Sequence, residues 1–519
     1  MNREAMLQQL TQTDHWDILI IGGGATGLGA AVDAASRGYR TLLIEKKDFA
    51  HATSSRSTKL IHGGVRYLEQ GNLKLVKESL RERGLLLKNA PHVCHNLGFV
   101  LPVFAHYRKW YYGIGLKIYD LLAGSLQLGK TKILSSKKTA DSLPNFSHAS
   151  LKGGVLYHDG QFDDSRLAIN LAATAAAYGA TLLNYCSLNQ FIKENNKITG
   201  AEITDSLTGE HFRIRASVTI NATGVFTDQV LQLDEPGAAP MLEASRGVHI
   251  VVDKSFFPSS HAFIIPKTDD GRVLFAVPWH DKVVIGTTDT AVDEITDDPA
   301  ASKEEIDFII SHINRYLSAP IHYCDVRSVY AGLRPLLSNK QARKTSVLPR
   351  DHITRVSNSG LVTITGGKWT TYRSMAEQAV DNAVFVAKLE KKKSITRELR
   401  IHGYAAENKN RLSVYGSDAI LIEELISKDP ALSALMHPQL PYTRAEIVWA
   451  VQSEMAMTVE DVLARRTRAL LLNAKAAVEA APVVALLMAG IMNKDEQWQK
   501  QQLDNFEKLA RHYIIDYFV

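Results

Sequence analysis

The chain has 519 residues, of which 45% are apolar and 22% charged, and its formal net charge is +5. That length allows two or three domains around a large buried core, and the composition is that of a globular protein rather than a disordered or low-complexity one. The mild positive balance is compatible with anionic ligands or an acidic membrane surface and gives no reason to expect nucleic acid.

Residues 1–14 are polar and lack the apolar centre of a secretory signal, so a cytoplasmic location is expected. Residues 17–21 form a short apolar run with strand character that leads into the turn Gly22-Gly23-Gly24-Ala25-Thr26-Gly27. Residues 25–37 are rich in Ala and other small side chains, as in a helix packed closely on a sheet. Gly38 ends it, and 41–44 read as a second strand. The result is a β-α-β unit of about 30 residues. Further along, 203–220 alternate around Thr208-Gly209 like a hairpin, and 272–277 and 283–287 flank another turn. These segments predict an antiparallel sheet inserted between parts of a nucleotide-binding region. Residues 361–364 read as a strand, followed by Gly366-Gly367 and a helix over about 370–389.

Beyond Lys391-Lys392-Lys393 the periodicity is helical, notably over 444–468 and 474–492. The predicted fold is therefore α/β: a Rossmann-type domain with an inserted antiparallel-sheet substrate domain, plus an all-α C-terminal domain over 398–519. The nucleotide part is expected at about 15–100, 150–235 and 345–390, and the substrate part at about 100–150 and 236–345. No run reaches the roughly 18 apolar residues needed to span a bilayer, and 480–492 reads as a buried helix. Cys94, Cys186 and Cys324 are odd in number and far apart. They fit neither a disulfide framework nor a zinc site, and they read as reduced core thiols with no metal expected.

In the first turn each glycine has a distinct task. Gly22 permits the tight exit from the strand, Gly24 lets backbone approach a pyrophosphate, and Gly27 lets the helix pack on the sheet. Gly23, Ala25 and Thr26 complete the turn, and the helix N-terminus offers N–H groups to the phosphates. Glu45 ends the second strand, where a carboxylate accepts ribose hydroxyls and repels a 2′-phosphate. The motif alone does not separate FAD from NAD.

Three later segments bear on that choice. The run from Ala52 to Tyr67, with Thr53, Ser54, Ser55, Lys59, Leu60, His62, Gly63 and Gly64, is dense in hydroxyls and small residues suited to phosphate and flavin edges. Asn221-Ala222-Thr223-Gly224 follows an apolar stretch and brings bare backbone near a cofactor. Gly366-Gly367-Lys368-Trp369-Thr370 precedes a helix whose N-terminus suits the anion that forms on a reduced flavin.

Together with Gly332-Leu333-Arg334-Pro335 and the segments 446–450 and 459–466, these motifs resemble the aerobic FAD-dependent glycerol-3-phosphate dehydrogenases of the D-amino-acid-oxidase-like flavoproteins, over nearly the whole chain. The resemblance implies FAD as cofactor and oxidation of sn-glycerol 3-phosphate to dihydroxyacetone phosphate by hydride transfer to flavin N5. It also implies electrons passed to membrane quinone, and a peripheral place on the inner face of the cell membrane. By the same resemblance Arg66, Arg334 and Arg350 line a substrate pocket and Lys368 lies beside the flavin, while Tyr67 and Thr288 orient substrate. Arginine suits phosphate because its planar fork binds two oxygens at once. His249, in Arg246-Gly247-Val248-His249, is the expected base, with Arg334 and Lys368 as its catalytic companions. The family usually has Ser in place of Val248.

The stretch 106–122 mixes cations, Trp, Tyr and aliphatics. Its composition fits both a helix lying in a bilayer surface and a helix packed on the protein's own core. Alternatives are a glycerol-3-phosphate oxidase that makes hydrogen peroxide, an amine or amino-acid oxidase, and a flavin-bound interaction protein. The several cations disfavour the second. Dimerisation, a partner contact and fold support all remain open for the C-terminal helices.

Overall fold

The computed structural model describes residues 1–69, 71–147, 150–265, 268–269, 271–338, 352–406 and 411–518; the side chains of Arg66 and Glu69 lie outside this set. Arg350, expected in the substrate pocket, lies outside the described residues.

The strand Trp16–Ile21 runs parallel to both of its neighbours, Thr41–Ile44 and His211–Asn221. Val362–Gly366 and Thr181–Leu183 extend the sheet in parallel, and His352–Val356 closes one edge antiparallel. The two strands of the first β-α-β unit are apolar on both faces and almost wholly buried, as a parallel sheet requires when helices cover it. The helix Ala25–Ser36 covers it together with Tyr372–Val386. Small residues permit that closeness: a Cβ on Gly29 would lie 2.8 Å from the Tyr372 ring.

The hairpin expected over 203–220 exists, but it belongs to this sheet and not to the inserted one. The first half of His211–Asn221 pairs antiparallel with Lys197–Asp205, and its second half pairs parallel with the first strand. One long strand thus serves two pairings, which alternation alone does not reveal.

A second, ten-stranded sheet carries the inserted region. Its longest pairing joins Leu242–Asp253 to Val326–Leu337, and Lys282–Gly286 and Thr290–Val292 lie on the other side of Leu242–Asp253. The sheet also takes in Cys94–Val103 and Gly153–Phe162, antiparallel over ten residues, and Leu60–Ile61. The expected boundaries near 100 and 150 therefore need correction. They assign most of these strands to the nucleotide part, whereas their hydrogen bonds commit them to the second sheet.

Among the described residues no strand follows Gly366. The longer helices beyond residue 398 are Ala419–Lys428, Arg444–Glu454, Ala474–Met492 and Glu496–Ala510, with a π-helical turn at Asp461–Arg466. Ala474–Met492 is long and apolar enough to cross a membrane by length and composition. Here Ala477, Val484 and Met488 share a core with Leu463, Phe506 and Trp279 of the second sheet. Cys94 and Cys186 are buried thiols, but Cys324 is exposed, correcting its reading as a core residue.

Buried ion pairs tie this region to the loop that follows Thr41–Ile44 and to the helix Asp164–Ala177. Asp48 accepts from Arg465 Nε at 2.6 Å and from Arg466 Nη1 at 2.6 Å. Burial alone would raise the Asp48 pKa, but Arg466 and Arg465 hold it at about 2. Arg166 donates both Nη groups to Glu454, at 2.8 and 2.7 Å.

Candidate active site

The glycine turn has the geometry its sequence calls for. Gly22 has φ +110, and a Cβ there would stand 2.7 Å from Ala222 O; a Cβ on Gly27 would stand 1.8 Å from Gly22 O. Gly24 begins the helix without a side-chain cap, Ala25 N donates to Ser54 Oγ at 2.9 Å, and Thr26 lies in the first turn. Glu45 was expected to hold ribose hydroxyls. Its oxygens already accept from Gly23 N at 2.6 Å and Lys47 N at 2.8 Å, so it also braces the turn. Burial pushes its carboxyl pKa up against these two N–H groups. Gly224, at φ +59, faces open space at the end of the adjacent strand, and Thr223 Oγ1 donates to Asn221 Oδ1 at 2.7 Å. An open helix N-terminus, close-packed glycines and bare backbone at the carboxyl ends of parallel strands fit an adenine dinucleotide with its pyrophosphate at that terminus.

The other two segments meet beyond this turn. Trp369 Nε1 donates to Ser54 O at 2.9 Å, and Thr370 Oγ1 donates to His62 O at 3.3 Å. Lys368 Nζ stands 4.1 Å from the centre of the Tyr67 ring, and a Cβ on Gly64 (φ +80) would strike that ring. Gly366 and Gly367 have φ +81 and +73, and the helix they introduce begins at Tyr372 after a short 3-10 turn. Thr53 Oγ1 donates to Leu333 O at 2.7 Å, tying the hydroxyl-rich run to the strand that carries Arg334. Gly63 N donates to Tyr119 Oη at 2.8 Å, and Leu60 pairs with Gln161 in the second sheet. The backbone of Arg66 lies in the helix Val65–Glu69.

His249 and Arg334 stand on neighbouring strands of the second sheet. Two glycines make room for side chains of this sheet and a third for the backbone of the loop at Arg56. A Cβ on Gly247 would lie 2.0 Å from Arg334 Nη2, one on Gly286 2.3 Å from His249 Cδ2, and one on Gly332 2.9 Å from Arg56 O. Arg334 Nη2 donates to Thr287 Oγ1 at 2.8 Å and its Nη1 stands 3.4 Å from Asp289 Oδ1, while Ser245 hydrogen-bonds Asp289 in turn. Thr288, expected to orient substrate, points elsewhere: its hydroxyl accepts from Val248 N at 3.0 Å and donates to Glu305 at 3.0 Å. The neighbour Thr287 holds the place beside Arg334. His249 is buried, and burial, then Arg334 and Lys59, push its pKa well below the ordinary imidazole value.

Lys59, expected at the cofactor, has its ammonium elsewhere. Nζ donates to Asp164 Oδ2 at 2.7 Å and Ser55 O at 2.8 Å and lies 5.2 Å from the Trp279 and Tyr330 rings. Burial lowers its pKa to about 7 against the pull of Asp164. Four residues of the site are not singled out by the sequence motifs: Thr58, whose Oγ1 lies 2.9 Å from His249 Nε2, Thr287, Asp164 and Arg468. Thr58 and Thr287 sit inside motifs already singled out, so neighbours within those motifs were the available signal.

The sheet order and the convergence of the glycine segments define a flavoprotein-type oxidoreductase site. A family model described as FAD dependent oxidoreductase matches residues 17–373, and one described as C-terminal domain of alpha-glycerophosphate oxidase matches 361–500. The mitochondrial glycerol-3-phosphate dehydrogenase of Homo sapiens is 39% identical over 99% of this chain and 76% of its own length. That of Arabidopsis thaliana is 38% identical over 98% of this chain and 88% of its own. The structure of the glycerol-3-phosphate dehydrogenase of Bacillus halodurans, complexed with FAD, superposes with a TM-score of 0.81 at 30% identity, covering 100% of this chain and 98% of that one. The chain belongs to the glycerol-3-phosphate dehydrogenase family of FAD dependent oxidoreductases.

Proposed function

We propose that the protein oxidises sn-glycerol 3-phosphate to dihydroxyacetone phosphate. The observation that carries this reading is the placement of a buried histidine and an arginine on adjacent strands of one sheet, four register positions apart, with room for their side chains kept by Gly286 and Gly247. FAD, once bound, supplies the hydride acceptor. His249 takes the hydroxyl proton, a task for which a neutral imidazole is suited. Arg334, oriented by Thr287, holds the substrate phosphate together with Arg66 and Arg350. Lys368 and Tyr67, whose ammonium and ring lie 4.1 Å apart, would stand beside the flavin. The hydroxyl-rich run and Gly366 to Thr370 hold the cofactor through short polar contacts. The test is anaerobic bleaching of the yellow holoprotein: glycerol 3-phosphate reduces it, whereas glycerol and D-alanine do not. Equal reduction by glycerol would remove the phosphate-binding role, and no reduction by glycerol 3-phosphate would remove the reading.

The electron acceptor on this reading is membrane quinone rather than oxygen, reached from the inner surface of the cell membrane. The support is the helix His106–Ala123. Its Leu116 and Tyr119 are buried in the protein, while Tyr107, Trp110, Tyr111, Ile114, Ile118 and Leu121 are exposed, Leu121 at 80%. These exposed positions recur at helical spacing and form one apolar, aromatic face of the kind that enters a bilayer interface. Co-sedimentation with anionic vesicles tests it, with loss expected for Trp110→Ser and Tyr111→Ser. Measuring peroxide per substrate oxidised tests the acceptor, since an oxidase would yield one for one.

A further inference from the structure

The base lies far in sequence from the C-terminal helices, yet a short chain of contacts joins them. His249 Nε2 lies 2.9 Å from Thr58 Oγ1, and its Nδ1 is buried with no partner among the described residues. The His249 ring stacks on Tyr330, whose hydroxyl donates to Ser57 O at 2.9 Å. Residues 57 and 58 thus set both the plane and the polarity of the imidazole. The residues on either side of Thr58, Ser57 and Lys59, are held by Asp164, and Asp164 by Arg468. Asp164 Oδ2 accepts from Ser57 Oγ at 2.7 Å, Ser57 N at 3.1 Å and Lys59 Nζ at 2.7 Å. Its Oδ1 accepts from Arg468 Nη2 at 2.9 Å, and the same Nη2 donates to Ser55 O at 2.7 Å. Lys59, Asp164 and Arg468 are all essentially inaccessible to solvent.

Resting on the glycerol 3-phosphate reading above, we propose that Thr58 is a positioning residue for His249 and that Arg468, acting through Asp164, is the C-terminal region's contribution to the reaction. With Nε2–H donated to Thr58, the neutral ring presents its lone pair at Nδ1, the nitrogen the protein leaves for the substrate hydroxyl. Orienting partners of a histidine are commonly required for its full effect even though they never touch substrate. Arg468 keeps Ser55 to Lys59 from shifting, because one guanidinium nitrogen bridges the carboxylate and the backbone of the same loop. The helical region is then more than a scaffold: it supplies the cation that locks the loop behind the base.

The test is anaerobic flavin reduction in the full-length holoenzyme, with dihydroxyacetone phosphate affinity read from the flavin spectrum and thermal midpoint as control. Thr58→Val keeps the shape and loses the hydroxyl. Its limiting reduction rate is expected to fall about tenfold, part of the effect of the base itself, with product affinity within about twofold. The double variant Thr58→Val/His249→Gln is expected to be no slower than His249→Gln, because the first residue acts through the second. Arg468→Gln should lower the rate per bound FAD in the same sense, and Arg468→Lys should restore part of it. Should Arg468→Gln not accumulate as folded protein, Thr58→Val and the double variant decide. Wild-type rates in Thr58→Val, or additive losses in the double variant, would overturn the inference alone. Wild-type protein that stays yellow with glycerol 3-phosphate would overturn the functional reading, and the inference with it.

Discussion

The rings of His249 and Tyr330 lie face to face, centroids 4.7 Å apart and planes within 12°, from directly opposed positions on adjacent strands. The stack fixes the imidazole plane, and burial beside Arg334 and Lys59 keeps the ring neutral. His249→Gln should therefore slow anaerobic flavin reduction by glycerol 3-phosphate about 100-fold or more while FAD remains bound. Near-normal reduction at full FAD occupancy would take His249 out of the role.

Gly247 and Gly286 separate binding from catalysis. A Cβ on Gly247 meets only the end of the Arg334 side chain, which can move. Gly247→Ala should fold normally and raise the half-saturating glycerol 3-phosphate concentration about tenfold, as expected for a disturbed charged hydrogen bond. A Cβ on Gly286 meets His249 and also Val248 O at 2.9 Å. Backbone cannot swing aside, so Gly286→Ala should slow reduction and cost about 1–3 kcal/mol of stability. Steady-state kinetics and urea unfolding of the two variants distinguish these outcomes.

Asp48 depends on cations from the C-terminal helices. Removing one partner of a buried pair leaves an uncompensated charge, at a cost of about 3–5 kcal/mol. Arg466→Met should accordingly lower the urea midpoint and weaken FAD retention, since Asp48 closely follows Glu45. The double variant Asp48→Asn/Arg466→Met should recover part of the loss, because the stranded charge is gone. Equal stability in the single variant and the wild type would show that Arg465 alone suffices.

His92 predicts an acid weakness. Asn170 Nδ2 donates to its Nε2 at 2.7 Å, and burial, then Arg166 and His402, hold its pKa at about 4. In the unfolded chain the value is about 6.5. The unfolded state therefore binds the proton first as pH falls. Stability from this group is complete above about pH 6.5 and declines toward pH 4 by about 1.4 kcal/mol per unit. His249, also depressed, acts in the same direction. Urea unfolding at pH 7, 6 and 5 should show the decline, and His92→Gln should make it shallower; an unchanged slope would dismiss His92 as its source.

The parts legible in the sequence were those written in consecutive residues. The first β-α-β unit needs only a strand, three spaced glycines and small helical residues, so residues 16–45 could be read directly. His249 and Arg334 lie in motifs of a few residues each, and the roles expected of them follow from the family resemblance. Contacts between distant segments were not legible. Nothing near Thr58 indicates that His249 will face it, and Thr287 and Thr288 differ only in which side of the strand end each occupies. Lys59 is expected at the cofactor because it sits in a run of hydroxyls and small residues, but the carboxylate that captures it lies in a helix over a hundred positions later. The strands Cys94–Val103 and Gly153–Phe162 were divided wrongly because pairing, not composition, assigns a strand to its sheet.

The arginine turn at 465–468 also dictates an order of events during synthesis. Asp48 is made early, but the two guanidinium groups that neutralise it, those of Arg465 and Arg466, come more than four hundred positions later. Until then the growing chain holds a carboxylate, Asp48, that cannot be enclosed in its ionised form without a cation. The nucleotide-binding half therefore cannot reach its final packing by itself, although its local pattern is complete. A nascent chain halted before residue 465 would be left with an open interior, a substrate for chaperones or proteases rather than a smaller working flavoprotein.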